Sequence, residues 1–333
     1  MVKVLVTGAG GPAGVAVIRS LAARSDTEVY PADMDGWASG LYLQPAERRR
    51  IVPPGADPGF VDAVIAMCGA DHIDVLVSTV DAELVPLALR RDELRQRTGT
   101  VLAAPPTATL EVALDKFALV RRCEGVAPVP ETALLDVPGV ARPWEFPVIV
   151  KPRSGSGSRG VRVIADRPAL EAVGLDDALI IQEFLPGQEY SVDVIADAES
   201  RVVAAVPRIR SRVDSGVSIA GVTVHDPALE TTAAAIAGAI GLVGVANVQL
   251  RRRADGVPAL LEVNPRFAGA NPLTIAAGVD LPSLALDLAL GRPIPERIDF
   301  VELANVRYLE DVFLDPSEVL VSEHAAHTEE GEP

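Results

Sequence analysis

Lysine is scarce in this chain, and two of its lysines stand where a cation would meet phosphate. Among 30 basic residues only Lys3, Lys116 and Lys151 are lysines. Lys116 lies in a predicted helix, and Lys151 ends a predicted strand just before a glycine- and serine-rich loop. Ammonium groups act as point charges on phosphate oxygens, and the N–H groups of such a loop can close over them. The candidate phosphate-binding residues are Lys116, Lys151, Ser154, Gly155, Ser156, Gly157 and Gly160.

A second group of polar residues lies near residue 260. Gln249 is followed thirteen positions later by Glu262, and then by Asn264 and Arg266. Residues at i and i+2 of a strand point to one face, so Glu262 and Asn264 are expected side by side. Their oxygens suit Mg²⁺, which prefers carboxylates together with substrate phosphates. On the same face Arg266 could hold a transferring phosphoryl group or a substrate carboxylate.

Each of these residues also fits a structural interpretation. A lone helical lysine is usually a solvated charge, a Gly/Ser loop is often a hairpin connection, and Glu262 alone could belong to an ion pair. Their joint occurrence in one order favours a site for a nucleoside triphosphate.

A separate glycine cluster, residues 8–14, follows the first predicted strand and precedes a helix. Such a helix N-terminus can face a phosphate, and Asp33 or Asp35 stands where a dinucleotide fold holds a ribose. The pattern therefore leaves an NAD(P)-dependent oxidoreductase open. The alternative is that a tight strand-to-helix turn needs glycine whatever the ligand.

The elements that must position these residues alternate between strand and helix in the first hundred residues. That alternation predicts βαβ units and a parallel sheet, and Pro105-Pro106 marks a domain boundary. A helix is predicted over residues 107–123, with a polar acidic tail at 322–333. The other predicted segments are strands at 28–32, 74–79, 146–151, 161–165, 179–184, 191–196, 202–206, 247–251 and 259–263, and helices at 60–67, 227–240 and 282–290.

Composition excludes several classes of protein. The 333 residues carry a net charge of −16, which argues against nucleic-acid binding and against adsorption to anionic lipid. No apolar run has the length of a membrane span, and two cysteines are too few for a disulfide framework. We therefore expect a cytoplasmic protein that binds small molecules.

Four stretches of the sequence resemble the ATP-grasp enzymes, and most of all their carbamoyl-phosphate-synthase-like branch. They are ALDKF, VIVKPRSGSGSRGV, IIQEFLPGQEYSVDV and, the most specific, LLEVNPRFAGANPLTIAAGVDLP. A run at 81–88, DAELVPLA, matches as well. The resemblance implies an α/β protein with the ATP-grasp fold. It would have a Rossmann-like pre-ATP-grasp domain at 1–104 and an ATP-grasp domain at 105–321, the latter with a lid subdomain at about 118–184 and a C-terminal α+β part.

The resemblance also implies roles for individual residues. Lys116 and Lys151 would contact the ATP phosphates, and Arg266 would stabilise the transition state that leads to an acyl phosphate. The residues implied to surround the adenine and ribose are Gln182, Glu183, Phe184, Leu185 and Glu189. Mg²⁺, or Mn²⁺ as an alternative, would be held by Glu262 and Asn264, with Gln249 as a weaker candidate. The N-terminal glycine domain would help to bind the second substrate and would hold no NAD.

The expected activity is ADP-forming ligation of a small carboxylate with an amine or another nucleophile. A non-catalytic ATP-binding sensor remains as an alternative, and a homodimer is left open. Similar sequences place a Gly-Glu pair near Gly216, where this chain has no glutamate. Nearby, Arg208, Arg210 and Arg212 alternate along an extended segment, so we expect them to share a face. They would either bind an acidic substrate or form a solvated basic strand.

Overall fold

The computed structural model describes residues 1–155, 159–214 and 217–321. The predicted loop residues Ser156 and Gly157, the position of the Gly-Glu pair near Gly216 and the predicted tail 322–333 lie outside the described residues. Within the described part, three β-sheets are connected by helices and loops. None of the helices in these ranges combines the length and the apolar character of a membrane span.

The first sheet is parallel, as the alternation of strands and helices predicts. Its strands are β1 (Val2–Thr7), β2 (Thr27–Asp33), β3 (Arg50–Ile51), β4 (Val75–Ser78) and β5 (Val101–Leu102). They lie in the order β3-β2-β1-β4-β5. The carboxyl ends of β1 and β4 meet at one edge, which is where loops of parallel sheets usually bind ligands.

Helices cover both faces of this sheet because both faces are apolar. They are α1 (Pro12–Ala22), α2 (Phe60–Asp71), α3 (Asp81–Leu89), α4 (Arg91–Thr98) and α5 (Thr107–Leu114). Alternation along β1 sends Val4 and Val6 into one core with α1, whereas Leu5 enters the other core with Phe60. The first core also contains Ile195 from the third sheet, so the parallel sheet packs directly against the rest of the chain.

The single helix predicted for residues 107–123 is wrong. Two helices occupy this range, α5 and α6 (Lys116–Cys123), and they are separated by Asp115 in an extended conformation. The Asp115 carboxylate accepts hydrogen bonds from the N–H groups of Phe117 and Ala118, at 3.0 and 3.2 Å. An aspartate that caps a helix in this way competes with continuation of the preceding helix. As a result, Lys116 is the first residue of α6.

The second sheet is antiparallel and has four strands. They are β6 (Thr132–Leu135), β7 (Val148–Pro152), β8 (Arg162–Ile164) and β9 (Asp176–Glu183), in the order β6-β9-β7-β8. Two short helices, α7 (Val137–Ala141) and α8 (Arg167–Glu171), accompany it. The sheet has a small core of its own around Trp144, Val150 and Ile181. Lys151 lies near the end of β7, as the sequence predicts.

The third sheet has six antiparallel strands. They are β10 (Glu189–Ala196), β11 (Val202–Asp214), β12 (Val217–Thr223), β13 (Gly244–Arg252), β14 (Pro258–Asn264) and β15 (Ala304–Val306). Their order is β14-β13-β10-β11-β12-β15. The helices of this region are α9 (Pro227–Ala239), α10 (Asn271–Ala276), which the sequence did not predict, and α11 (Leu281–Ala289).

The expectation that three arginines share one face holds only in part. Strand β11 continues well beyond the predicted end at residue 206. Its pairing with β12 shifts by one residue between Arg210 and Arg212, which is a β-bulge. Arg208 and Arg210 line the same cleft, whereas Arg212 is exposed and does not. The bulge breaks the strict alternation on which the prediction depended.

Candidate functional site

A cleft of about 670 Å³ lies between the second and third sheets. It is the size of sites that bind cofactors and small ligands, roughly 300–1,000 Å³. Most of the predicted site residues line it, although they come from six separate segments of the chain. These are Lys116, Lys151, Ser154, Gly155, Gln182, Glu183, Phe184, Leu185, Glu189, Gln249, Glu262, Asn264 and Arg266. Gly160 is not among the lining residues.

Two ammonium groups meet one carboxylate at the β14 side of the cleft. The Lys116 Nζ donates to the carbonyl of Gly155 at 2.6 Å and lies 3.8 Å from the Glu262 carboxylate. Lys151 is only 5% exposed. Burial lowers the Lys151 pKa to about 8; Glu262 opposes the fall and Lys116 adds to it. Positive charge exceeds negative charge here, so this end of the cleft favours an anion.

Strand register brings the predicted metal-binding residues onto one face. Gln249 pairs with Glu262 on β14, and Asn264 lies two residues further along the same strand, opposite Asn247. The Asn264 amide nitrogen lies 3.5 Å from a Glu262 oxygen. Glu262 and Asn264 are therefore side by side, as their spacing predicts.

These residues suit a metal ion that arrives with a phosphate, not one held by protein alone. Within the described residues, no group of three or more His, Cys, Asp or Glu side chains could hold a metal ion. Glu262 supplies one carboxylate, and Asn264 and Gln249 can add amide oxygens. Magnesium commonly binds one or two carboxylates and completes its octahedron with phosphate oxygens and water. The donor set therefore fits Mg²⁺ if phosphate oxygens and water supply the remaining ligands.

The residues predicted for adenine and ribose already have protein partners. Gln182 is buried, and its amide nitrogen donates to the Thr132 hydroxyl at 3.0 Å. Glu183 accepts from the N–H of Glu131 at 3.0 Å and forms an ion pair with Arg253 at 3.1 Å.

The Glu189 carboxylate forms an ion pair with Arg210. The sequence offered no sign of this ion pair, because the two residues are 21 positions apart and meet only through the pairing of β10 with β11.

Arg266 is held by a residue that the sequence did not single out. Its Nε and Nη2 donate to the two carboxylate oxygens of Asp81 at 2.7 and 2.8 Å. Asp81 is the first residue of α3 in the N-terminal part of the chain. The only signal in the sequence is the DAELVPLA run that contains Asp81, and it carries no information about a partner 185 residues away.

A buried polar network beside the cleft was also missed. The Asp193 carboxylate accepts hydrogen bonds from Arg208 at 2.9 and 3.0 Å and from the Asn247 amide at 2.7 Å. It also accepts one from the Thr274 hydroxyl. Arg208 and Asn247 line the cleft. Buried charges are stable when they are paired and hydrogen-bonded, and this carboxylate has four donors.

The N-terminal glycines are explained by close packing. A Cβ on Gly14 would lie 2.0 Å from the Gly8 carbonyl oxygen, and Gly8 has a φ of +75°. The Gly10 N–H donates to the Asp33 carboxylate at 2.7 Å, so this carboxylate holds the turn itself. No residue of this loop lines the cleft described above. This geometry agrees with the interpretation of the glycines as a tight turn.

Comparisons with known proteins agree with this architecture. Residues 176–312 match the family model described as "ATP-grasp in the biosynthetic pathway with Ter operon". The large chain of carbamoyl phosphate synthase from Clostridium acetobutylicum is 30% identical over 45% of this chain and 16% of its own length. The Archaeoglobus fulgidus large chain is 26% identical over 63% of this chain and 21% of its own length. The chain thus spans about a fifth of these curated relatives or less.

Solved structures share the fold across nearly the whole chain. Biotin carboxylase from Campylobacter jejuni has a TM-score of 0.73 and 18% identity, and the match covers 89% of this chain and 72% of that one. An L-amino acid ligase from Bacillus licheniformis has a TM-score of 0.67 and 17% identity, with 87% and 74% covered. The family-model match over residues 176–312 and the similarity to the carbamoyl phosphate synthase large chains support an ATP-grasp superfamily protein. The solved structures show that the fold is the one found in ATP-grasp ligases.

Proposed function

We propose that this protein is an ATP-dependent ligase that forms ADP and joins a carboxylate to an amine through an acyl phosphate. One observation carries the proposal: the charge of the cleft opposes the charge of the protein. Seven arginines and lysines line the cleft against three glutamates, although the chain has a net charge of −16. A concave, locally positive site in an acidic protein is suited to a multiply charged anion such as ATP.

Residues at different positions along the cleft would contact different parts of the nucleotide. Lys116 and Lys151 neutralise the phosphate oxygens, and Glu262 and Asn264, with Gln249, would hold Mg²⁺. When bound, Mg²⁺ would neutralise charge on the β- and γ-phosphates. Phe184 and Leu185 would border the adenine, while Glu189, oriented by Arg210, would meet the ribose hydroxyls. This assignment is supported by the positions of all these residues in one cleft.

The proposed reaction has two steps. An oxygen of the substrate carboxylate attacks the γ-phosphorus of ATP; a P–O bond forms, the bond to the β–γ bridging oxygen breaks, and ADP leaves. The amine then attacks the acyl carbon, which expels phosphate and, after loss of a proton, leaves an amide. Arg266, fixed by Asp81, would stabilise the charge on the transferring phosphoryl group. The protein acts chiefly by positioning and by charge neutralisation.

We also propose the domain limits suggested by the sequence. Residues 1–104 would form the pre-ATP-grasp domain and residues 105–321 the ATP-grasp domain. The second sheet would be the lid subdomain, and its separate core supports this assignment. A cytoplasmic location, a homodimer and Mn²⁺ as an alternative metal remain further proposals.

ADP release measured over a panel of carboxylates and amines tests the function. We expect Mg·ATP to stabilise the protein against heat, with an effect that grows with the logarithm of its concentration. ADP formation should then depend on a particular carboxylate of the panel, and it should increase when a particular amine is added. Stabilisation by NADH or NADPH but not by ATP would favour the oxidoreductase alternative. Binding of Mg·ATP without ADP release under any pairing would favour the sensor alternative.

A further inference from the structure

Arg208 is a buried guanidinium whose environment holds it in one orientation. It lies in the middle of β11, is 2% exposed and still lines the cleft. Its Nε and Nη2 donate to the two oxygens of Asp193. Since Asp193 also accepts from Asn247 and Thr274, the carboxylate cannot rotate away without losing further bonds. The planar fork of arginine therefore stays fixed.

Among the residues that the structure describes, one nitrogen of this guanidinium has no hydrogen-bond partner. Nη1 of Arg208 makes no hydrogen bond to any residue that the structure describes. A buried pair of charges contributes little to stability by itself, so packing alone gives no reason for an arginine here. Nη1 carries two N–H donors, and a ligand in the cleft can supply the acceptor.

The position of Arg208 separates it from the predicted phosphate site. Along one row of the third sheet, Glu262 pairs with Gln249, Gln249 with Ser191, and Ser191 with Arg208. Neighbouring strands are about 4.8 Å apart, so Arg208 lies roughly 14 Å across the sheet from Glu262. Lys116 and Lys151 lie at the Glu262 end of this row.

A second arginine adds positive charge near Arg208. Arg307 donates to the carbonyl of Gly269, which also lines the cleft. Burial lowers the Arg307 pKa, and the positive charge of Arg208 lowers it further. Arg307 is therefore close enough to Arg208 to add positive charge at this end of the cleft.

We propose that Arg208 anchors the site of the second substrate by binding a carboxylate through Nη1. This inference rests on the proposed function, and it adds the residue that binds the carboxylate of the second substrate. Hydrogen bonds to a charged donor contribute enough to account for roughly a 10- to 100-fold difference in affinity. A neutral ligand of the same shape would lack this contribution.

The test uses binding, which does not depend on turnover. Acetate, succinate, L-aspartate and L-glutamate are titrated by calorimetry into the full chain saturated with Mg²⁺ and a non-hydrolysable ATP analogue. The variants are Arg208→Lys and the pair Arg208→Met with Asp193→Asn, which leaves no unpaired buried charge. Arg201→Met is the matched control, because Arg201 is an exposed arginine in the connection between β10 and β11 that is ion-paired with Asp197. The melting temperature of each variant verifies that it folds.

We expect wild type and the Arg201 control to bind at least one of these carboxylates. Both Arg208 variants should weaken that binding by roughly 10- to 100-fold and change nucleotide affinity by less than about 3-fold. The proposal is overturned if folded Arg208 variants keep the carboxylate affinity, if no carboxylate binds to wild type, or if nucleotide affinity falls in parallel. The same carboxylates are also titrated without nucleotide, so that Arg208 is tested separately from the nucleotide site. Failure of the ATP analogue to bind would contradict the proposed function, whereas unchanged carboxylate affinity in the Arg208 variants would contradict this inference.

Discussion

Replacing Lys151 by methionine should stabilise the unliganded protein and inactivate it. Lys151 is 5% exposed, and within the described residues its ammonium makes one weak hydrogen bond, 3.5 Å from the Leu261 carbonyl. Methionine keeps nearly the same length without the charge, so the main change is removal of a buried cation.

The size of the effect follows from the pKa of Lys151. Its fall from 10.5 to about 8 means that the folded protein holds this proton less tightly than the unfolded chain does. At about 1.4 kcal/mol per pH unit, the buried charge destabilises the fold by on the order of 3 kcal/mol near neutral pH. We therefore expect Lys151→Met to raise the free energy of unfolding by on the order of 1–3 kcal/mol, the lower value allowing for imperfect packing.

The pH dependence has a definite sign. Between the lowered and the ordinary pKa, from about pH 8 to 10.5, the unfolded chain binds more protons at this position. The contribution of Lys151 to the free energy of unfolding therefore rises with pH in this window. Lys151→Met should lack that rise.

The assay is urea unfolding near pH 7 and near pH 9.5, without nucleotide and with a chelator. Lys3→Met is the matched control, since Lys3 lies in β1 and its ammonium donates to the Asp71 carbonyl at 2.9 Å. ADP release by Lys151→Met should fall by roughly 100-fold or more, as for other losses of one charge contact to a transition state. A Lys151→Met protein that is less stable than wild type near pH 7 and keeps the wild-type pH slope would refute the reasoning.

Three further predictions concern the ion pairs and the cap around the cleft. In the ADP-release assay, Asp81→Asn should lower kcat by about 10-fold or more with little change in KM for ATP, because Arg266 loses its ion pair. Asp81→Glu, which keeps the carboxylate, should restore part of kcat. Glu262→Gln should keep measurable ATP affinity by calorimetry while turnover falls by roughly 100-fold, and full turnover would contradict the metal assignment. Asp115→Ala should lower the free energy of unfolding by about 1 kcal/mol or more through loss of the α6 cap and of the ion pair with Arg153, whereas the exposed Asp92→Ala control should change it little.

Much of the fold can be predicted because its signals are local. Apolar strands that alternate with helices predict the parallel sheet, and β4 occupies nearly the predicted residues 74–79. The break at Asp115 was missed because a capping aspartate and a helical one look alike in a run of helix-forming residues. The short helix α10 was missed because six residues between Gly269 and Gly278 give little periodic signal.

The candidate cleft could be predicted as a set of residues, but not as a set of contacts. The i, i+2 spacing of Glu262 and Asn264 and the lysine before a glycine loop are properties of short segments, so the sequence alone determined them. The ion pair of Arg266 with Asp81 and the donors around Asp193 join residues 15 to 185 positions apart. Only tertiary structure decided these contacts, because strand register and the packing of one sheet on another depend on the whole chain.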